Sequence, residues 1–314
     1  MELYPGVHQI QSVQSGRNIF QYLFTGERAV LVDCGFAHTP ERTIFPYMDS
    51  IDLDPANLAL AVITHADADH QGGCSRIRQT APSVLLACGE ADRRMIEDPQ
   101  ALWDLRYTFL NRDHGLSLAA GDPWPEAGRK QGIDLGFTGG EKIRLADDWE
   151  LDVLHVPGHS HGHLALYDSK CKAVFAGDAI HGRGCPNSDG SPGMPVTYYF
   201  VDLYLSTLQH FENLPIDVLY SGHWPIMRGE EVRDFIADSR RIVEQVDRII
   251  LRALDSRNSG LDLRELTDVV ADGIGEWPKE SWQLAAIPVK GHLDRLEQNG
   301  TVRRQLCDGR LRWR

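Results

Sequence analysis

Four side chains that can bind a metal ion lie close together in the segment Thr64–Gly73, which has the sequence THADADHQGG. They belong to His65, Asp67, Asp69 and His70. A lone histidine in such a place is usually an ordinary hydrogen-bonded residue. Two carboxylates and two imidazoles beside apolar sequence would instead repel and desolvate one another unless a cation neutralised them. The segment therefore predicts a metal site.

This metal-ligand segment follows a predicted strand. Residues 58–63, LALAVI, are apolar, too few for a typical helix and rich in residues that favour strands. The glycine pair at 72 and 73 permits a tight turn behind the ligands. We therefore expect the four candidate ligands in a loop at the end of a buried strand.

Three further predicted strands end beside a glycine and a residue that can bind metal. The strand 149–156 runs into PGHSHGH, the strand 173–175 into AGD, and the strand 217–220 into SGH. These motifs supply His159, His161, His163, Asp178 and His223. Rigid scaffolds hold metals with ligands from several strand ends at one edge of a sheet. The coincidence at four strand ends predicts one shared site.

Composition and charge limit the class of protein. Of the 314 residues, 42% are hydrophobic and 25% charged, which is ordinary for globular proteins. The N-terminus lacks signal-peptide features and no apolar run reaches the ~18 residues of a membrane span, so a cytoplasmic protein without membrane association is expected. Six cysteines with no C-x-x-C pair favour reduced thiols and the same location. The net charge of −13 argues against a general nucleic-acid binder.

The order of predicted elements indicates an α/β fold. Strands predicted at 7–13, 18–25 and 29–33 open a meander, and later strands alternate with helices as in a sheet covered by helices. Asp33 ends the third strand, where its carboxylate is either an exposed cap or the hydrogen-bond partner of a metal-ligating histidine. Residues 89–140 combine helical segments with a Gly- and Pro-rich stretch, which indicates an insertion or lid.

The insertion carries candidates for a substrate pocket. Its aromatic residues either line that pocket or fasten the insertion to the core, and the sequence leaves both interpretations open. They are Trp103, Tyr107, Phe109 and Trp124. Its arginines could recognise a carboxylate or a phosphate. They are Arg93, Arg94, Arg106 and Arg112.

The C-terminal residues 229–314 have a different pattern. Helices are predicted at 230–254, 262–272 and 288–298, followed by two short strands around Asp308–Gly309. Helices followed by such a hairpin resemble a winged helix. We therefore expect domains at 1–228 and 229–314, the second serving in packing, in a homodimer or, through arginines near the hairpin, in nucleic-acid binding.

The motifs THxxxDH, PGHSxGH, AGD and SGH, in this order within residues 1–228, resemble the metallo-β-lactamase fold superfamily, which includes glyoxalase II-like thioesterases, lactonases and flavodiiron proteins. The resemblance implies a four-layer αββα sandwich with one or two metal ions between the sheet edges. It assigns His65 and His159 to a first metal site, Asp69, His70 and His223 to a second, and Asp178 to a bridge between them. A winged helix follows the hydrolase domain in a subgroup of this family, some members of which act on RNA.

Asp67 departs from the family pattern, in which most members have a histidine. A carboxylate adds negative charge and a hard oxygen donor, which favours iron or manganese over zinc. We predict two divalent metal ions, zinc or, because of Asp67, iron or manganese. Asp67 is expected to ligate, with the alternative that its short side chain does not reach the metal. A flavodiiron-like redox site is a further alternative.

The predicted function is a metal-dependent hydrolase of a compact ester, thioester or lactone, with a metal-bound hydroxide as the nucleophile. Asp69 would hold that hydroxide. Tyr198 and Tyr199 either hydrogen-bond the substrate, as tyrosines do in lactonases, or pack at the start of a helix. His181 is a substrate contact, a proton donor or a surface residue. The expected partner is a small molecule, and the alternative is a winged-helix protein that binds or cleaves RNA.

Overall fold

The first sheet is formed by the N-terminal part of the chain. The computed structural model describes residues 1–116, 118, 125–307 and 309–314. Within these residues the sheet has seven strands in sequence order: β1 (Glu2–Tyr4), β2 (Val7–Gln14), β3 (Arg17–Thr25), β4 (Ala29–Val32), β5 (Leu58–Ile63), β6 (Leu85–Gly89) and β7 (Leu135–Phe137). Strands β4 to β7 are parallel, so β4, β5 and β6 end at the same edge. The predicted strand before the metal-ligand segment is confirmed.

The second sheet follows in the chain. It begins with β8 (Lys142–Ala146), β9 (Trp149–His155), β10 (Leu164–Asp168) and β11 (Ala173–Phe175). A short ribbon of β12 (Cys185–Pro186) and β13 (Pro192–Met194) intervenes, and β14 (Val218–Tyr220) and β15 (Met227–Arg228) complete the sheet. Its order in the described part of the chain is β15-β14-β11-β10-β9-β8, with β11 parallel to β14.

Helices cover the outer faces of both sheets. In the described ranges these are α1 (Phe45–Asp49), α2 (Ala68–Gln71), α3 (Cys74–Thr80), α4 (Arg93–Glu97), α5 (Pro99–Leu102), α6 (Asn111–His114), α7 (Val201–Asn213), α8 (Glu230–Asp255), α9 (Leu263–Ile274) and α10 (Ala286–Gln298). Short 3-10 turns lie at Pro55–Asn57, Glu90–Asp92, Pro125–Ala127 and Trp282–Ala285, and π-helical turns at Pro40–Ile44 and Trp103–Tyr107.

Three apolar clusters separate four layers. One, between the two sheets, includes Phe24, Val62 and Phe175. A second joins the outer face of the first sheet to its helices, and a third joins the second sheet to α7 and the C-terminal helices. Burying both faces of each sheet in this way gives helix, sheet, sheet and helix layers. The predicted αββα sandwich is confirmed.

The C-terminal helices belong to the third cluster, which continues through α8, α9 and α10 without a break in the apolar contacts. The strands β16 (Arg304–Cys307) and β17 (Arg310–Trp313) form the predicted hairpin, whose Asp308 lies outside the described residues. Arg304, Arg310 and Arg312 each lie within ion-pair distance of a carboxylate of this same region. The boundary at 228/229, the winged helix and the homodimer stay predictions.

No helix in the ranges that the structure covers has both the length and the hydropathy needed to cross a membrane. The six cysteines are free thiols, of which Cys34, Cys74, Cys88 and Cys185 are buried. Reduced thiols are what the absence of a C-x-x-C pair led us to expect.

A buried histidine connects α10 to the rest of the fold. The Nδ1–H of His292 donates to Asp247 Oδ1 at 2.6 Å, and its Nε2 lies 2.9 Å from the hydroxyl of Tyr198. Burial lowers the pKa of His292, although Asp247 opposes the shift. The folded protein therefore holds this ring neutral at pH values where the unfolded chain, with an ordinary pKa of about 6.5, binds a proton.

This histidine predicts a pH-dependent stability. Below about pH 6.5 the unfolded chain gains a proton that the folded chain does not, so the free energy of unfolding contributed by His292 falls as the pH falls. The difference in unfolding free energy between the wild type and His292→Gln should shrink between pH 7.5 and 5.5, by at most about 1.4 kcal/mol per pH unit. Urea unfolding at both pH values measures it, with exposed His161→Gln as control. A difference that grows on acidification would contradict the prediction.

Candidate metal centre

Asp33 organises the start of the metal-ligand segment. It follows β4 with a φ of 64°, a left-handed conformation that aspartate tolerates better than most residues. Its carboxylate accepts the backbone N–H of Thr64 at 2.7 Å, the Thr64 hydroxyl at 2.9 Å and the Nδ1–H of His70 at 2.8 Å. Of the two interpretations left open by the sequence, the structure places Asp33 as the partner of a candidate metal ligand.

One group of donor atoms lies between the ends of β5, β11 and β14. The Nε2 atom of His223 is 3.3 Å from Asp69 Oδ2 and 3.2 Å from Asp178 Oδ2, and the Nε2 atom of His70 is 3.7 Å from Asp178 Oδ1. The Nδ1–H of His223 donates to the carbonyl of Asn18 at 2.7 Å, which directs Nε2 toward the group. We call Asp69, His70, Asp178 and His223 the second donor group.

Gly222 allows these ligands to approach each other. A Cβ added there would lie 2.4 Å from Asp178 Oδ1 and 2.7 Å from His70 Cε1. Such distances are impossible for a real side chain, so this position of the SGH motif requires glycine. The glycine beside a candidate ligand, noted from the sequence, thus has a packing reason here.

Four buried atoms of the centre have no hydrogen-bond partner in the described part of the chain. They are His65 Nε2, His70 Nε2, Asp178 Oδ1 and His223 Nε2. Leaving a buried polar atom unpaired costs about 1–3 kcal/mol, so four in one place indicate a missing partner. Burial opposes protonation of His70, yet the carboxylates of Asp33 and Asp178 raise its pKa to about 10. The group needs positive charge, and its imidazole and carboxylate donors fit a divalent cation.

Another set of donor atoms lies beside the second donor group. The ligand atoms of His65, Asp67 and His159 are within 4.8 Å of one another, and His159 Nε2 is 2.8 Å from Asp67 Oδ2. Burial lowers the pKa of His65 to about 3, which keeps the ring in the neutral form that binds metal. We call His65, Asp67 and His159 the first donor group. Asp67 reaches both histidines, while its ligation of a metal stays a prediction.

Arg106 connects the insertion to the first donor group. Its Nε and Nη2 atoms donate to the two oxygens of Asp67 at 2.8 and 2.9 Å, and its Nη1 donates to the carbonyl of His159 at 2.8 Å. Burial favours protonation of Asp67, but Arg106 and His159 hold its pKa well below the usual range. The sequence singled out Arg106 for recognising a substrate anion, whereas the structure pairs it with a candidate ligand.

The PGHSHGH loop is fixed by the insertion and by the strand ends. Asp92 accepts hydrogen bonds from the Ser160 hydroxyl and from the N–H of Gly162. The Nε2 of His163 accepts the N–H of Asp178 at 3.1 Å, and its ring stacks on His65 with ring centres 4.6 Å apart, so His163 supports candidate ligands. His161, from the same motif, is exposed.

A cavity of about 360 Å³ opens onto both donor groups. Its lining combines candidate ligands and two arginines with apolar side chains, and we call Phe36, Leu118, Met194, Leu284 and Ile287 its apolar wall. Of the described residues, those lining it are Arg17, Phe36, Asp67, Asp69, Arg106, Tyr107, Leu118, His159, Asp178, Met194, Thr197, His223, Leu284 and Ile287. No sequence pattern indicates that Leu284 and Ile287, from the C-terminal region, reach this cavity.

Tyr198 and Tyr199 do not line the cavity, and their hydroxyl groups bond to other side chains and not toward the predicted substrate. The Tyr198 hydroxyl meets His292, and the Tyr199 hydroxyl donates to Asp294 Oδ2 at 2.6 Å. Both bonds reach α10, and within the described residues this stretch contributes Thr197 to the cavity. The tyrosines fasten α10 to this segment, because both hydroxyls bond to side chains of that helix.

His181 is buried, so its interpretation as a surface residue is wrong. Its Nε2 lies 3.2 Å from the Thr197 hydroxyl, and its ring centre lies 5.0 Å from that of His159. Burial and neighbouring His159 hold its pKa well below the usual range, which opposes the predicted role as a proton donor. Asp69 borders the cavity, and its role as the residue that holds a hydroxide stays a prediction.

The other aromatic residues and arginines of the insertion differ in whether they reach the cavity. Tyr107 lines the cavity, whereas Phe109 packs edge-on against Tyr199 with ring centres 5.5 Å apart. Arg93 pairs with Glu90. Trp103 is buried; Trp124 and the side chain of Arg112 lie outside the described residues.

Comparisons with known proteins agree with this geometry. The family model described as "Metallo-beta-lactamase superfamily" matches residues 15–223. The chain is 27% identical over 197 residues to a hydroxyacylglutathione hydrolase of Methylobacillus flagellatus, covering 62% of this chain and 57% of that protein. It is 26% identical over 255 residues to the acyl-coenzyme A thioesterase MBLAC2 of Homo sapiens, covering 72% and 81%. A beta-lactamase domain protein from Burkholderia ambifaria has the same fold, with a TM-score of 0.76, 20% identity and coverage of 100% and 92%.

Proposed function

The chain belongs to the metallo-beta-lactamase superfamily, and on that premise we propose that it is a metal-dependent hydrolase of thioesters with an apolar acyl group. The observation that carries this proposal is the set of four unpaired, buried ligand atoms beside a cavity that is also lined by the apolar wall. A metal at the donor groups and a carbon chain against the apolar wall would place a carbonyl between them. Two similar proteins named for thioester hydrolysis support the choice of thioester.

The residues of the cavity have separate tasks in this proposal. A divalent cation held by the donor groups supplies Lewis acidity, which lowers the pKa of bound water and polarises a carbonyl. Asp69 borders the cavity and accepts a hydrogen bond from the attacking water, which orients it. The Thr197 hydroxyl is within reach of the same space and donates to a substrate oxygen.

We assign to Arg17 the recognition of the thiol carrier, which is the glutathione or coenzyme A part of the thioester. Arg17 lines the metal cavity and also a second cavity that is bordered by Asn187 and Ser281, and none of the ion pairs found among the described residues involves its guanidinium. A guanidinium binds carboxylate and phosphate groups well. Both glutathione and coenzyme A carry such groups, so Arg17 would recognise the anionic end of either thioester.

The remaining parts of the proposal concern the metal and its setting. We propose up to two divalent ions, zinc or, because of the Asp67 carboxylate, iron or manganese. We also propose cytoplasmic residence and a small-molecule substrate. The combination of imidazole and carboxylate donors supports a divalent metal ion at this centre.

A hydrolysis panel tests the function. Purified protein, treated with a chelator and then given zinc, manganese or iron(II), is offered acyl thioesters of glutathione and of coenzyme A, lactones and phosphodiesters. We expect thioester hydrolysis that the chelator removes and an added metal restores. Hydrolysis of phosphodiesters alone, or activity that the chelator does not change, would overturn the proposal.

The apolar wall predicts the acyl preference. Leu284→Asp replaces a half-buried wall residue with a charge, and losing about 1.5 kcal/mol or more of apolar contact should lower kcat/KM for a long acyl chain at least tenfold. For an acetyl group, which is too short to use that wall, the change should be small. Steady-state kinetics with acetyl and octanoyl thioesters measure the ratio.

The matched control is Leu306→Asp, since the Leu306 side chain is 70% exposed in the same C-terminal region. It should leave the ratio of octanoyl to acetyl kcat/KM unchanged. If Leu284→Asp lowered both values equally, the wall would not select the acyl chain.

A further inference from the structure

The two donor groups differ in one respect that the family motifs do not reveal. The second donor group has three unpaired buried atoms, on His70, Asp178 and His223. In the first donor group, Asp67 and His159 are already bonded to Arg106, and the Nε2 of His65 is unpaired. The second donor group thus offers unpaired ligand atoms to a metal, while in the first group the chain itself places a guanidinium between Asp67 and His159.

The position of Arg106 is incompatible with a metal bound to the same atoms. Its Nη2 lies 2.8 Å from His159 Nε2 and 2.9 Å from Asp67 Oδ2. The same Nη2 is 3.4 Å from His159 Nδ1, so the charged guanidinium lies against the imidazole as well as beside the Asp67 carboxylate. A metal ion bound to Nε2 and Oδ2 would stand next to this positive charge and be repelled by it. When Nε2 instead donates its proton to Asp67 Oδ2, at 2.8 Å, its lone pair is not available to a metal.

Charge leads to the same conclusion. Asp67 is the acidic residue that replaces the usual family histidine, and Arg106 balances it with a fork of two nearly parallel hydrogen bonds. A metal that entered the first donor group would have to replace this partner, whereas in the described part of the chain the second donor group is paired with no arginine or lysine. The guanidinium lines the cavity, so it has space into which it can move.

We propose that Arg106 is a resident cation of the first donor group, which competes with metal there and gives the two groups unequal metal affinity. The second donor group fills first, and an ion enters the first group by displacing Arg106 from Asp67 and His159. The inference rests on the metal-binding part of the proposed function and is independent of the substrate.

Arg106→Met tests the competition, because methionine keeps an unbranched side chain without charge or hydrogen-bond donors. Metal-free protein is titrated with Zn²⁺ and with Mn²⁺ in a calorimeter, and bound metal is counted by elemental analysis after dialysis. For the wild type we expect one tight equivalent and one that is at least tenfold weaker. In the variant the weaker step should tighten about tenfold or more and the tight step should stay unchanged.

The opposite role would give the opposite result. If Arg106 only orients Asp67 as a supporting residue, its removal should weaken the same step, as losses of such partners do by about 10–100-fold. A weaker or unchanged second step in Arg106→Met, or two equal steps in the wild type, would overturn the proposal. Arg106→Gln, which keeps amide donors but no charge, should give a tightened step as well.

Two controls keep the outcome interpretable. Arg94→Met makes the same change at an exposed arginine of the insertion and should leave both steps unchanged. Thermal melting of the metal-free proteins shows whether Arg106→Met is folded, and Arg106→Gln replaces it if it is not. Absence of any metal binding by the wild type would defeat the proposed function itself, a result distinct from equal binding at both sites.

Discussion

Asp178→Asn is expected to lower the kcat of thioester hydrolysis about 1,000-fold. The Asp178 carboxylate lies between the Nε2 atoms of His70 and His223, and its Oδ1 has no hydrogen-bond partner in the described residues. An amide there removes the charge that holds a cation and turns one possible donor into an N–H group. Lewis-acid stabilisation is worth several kcal/mol, and about 4 kcal/mol corresponds to this loss of rate.

The measurement pairs kinetics with elemental analysis of bound metal. We expect the metal content to fall together with kcat, and the melting temperature of the metal-free protein to stay near that of the wild type. Asp217→Asn makes the same change at an exposed carboxylate and should keep both metal and activity. An Asp178→Asn protein with full metal and full kcat would show that this carboxylate has no part in the chemistry.

The second large effect is expected from Asp33→Ala, which acts on stability and metal affinity together. The change leaves the N–H of Thr64 and the Nδ1–H of His70 without a partner inside the protein. With about 1–3 kcal/mol for each unpaired buried group, the free energy of unfolding should fall by roughly 2–6 kcal/mol. Metal affinity should fall about 10–100-fold, because the His70 ring loses the group that orients it.

Urea unfolding and metal titration separate the two effects. Asp33→Asn keeps an acceptor for Thr64, so it should recover part of the stability while metal affinity stays low. Asp52→Ala is the matched control for backbone strain, since Asp52 is exposed and has a φ of 56°, close to the 64° of Asp33. If both alanine variants lost the same stability, the hydrogen bonds of Asp33 would not be the cause.

The candidate metal ligands could be recognised in the sequence because their signal is local. Each candidate follows a short apolar strand and stands beside a glycine, and parallel strands such as β4 and β5 end at one edge. His65, His159 and His223 are far apart in the chain, yet topology alone brings their motifs together. The alternation of strands and helices likewise determined the layer order.

What the sequence could not predict depends on contacts between irregular segments. Arg106 lies in a π-helical turn 39 residues after Asp67, and no periodicity relates the two. Tyr198 and Tyr199 looked like pocket residues because they end a Gly- and Pro-rich loop. Their partners on α10 lie about a hundred positions further on, and no local pattern indicates such a pairing.

The position of Leu284 and Ile287 in the sequence affects how substrate preference can change between related proteins. The candidate ligands all lie before residue 224, while Leu284 and Ile287 lie some 60 residues later, among described residues that contribute to no group able to hold a metal. Under the proposed function, mutations in the C-terminal region can therefore alter which acyl groups fit without changing a donor atom. Two proteins that share every metal motif of this chain can then differ in substrate preference through their C-terminal regions alone, and the sequences of those regions are the better guide to that difference.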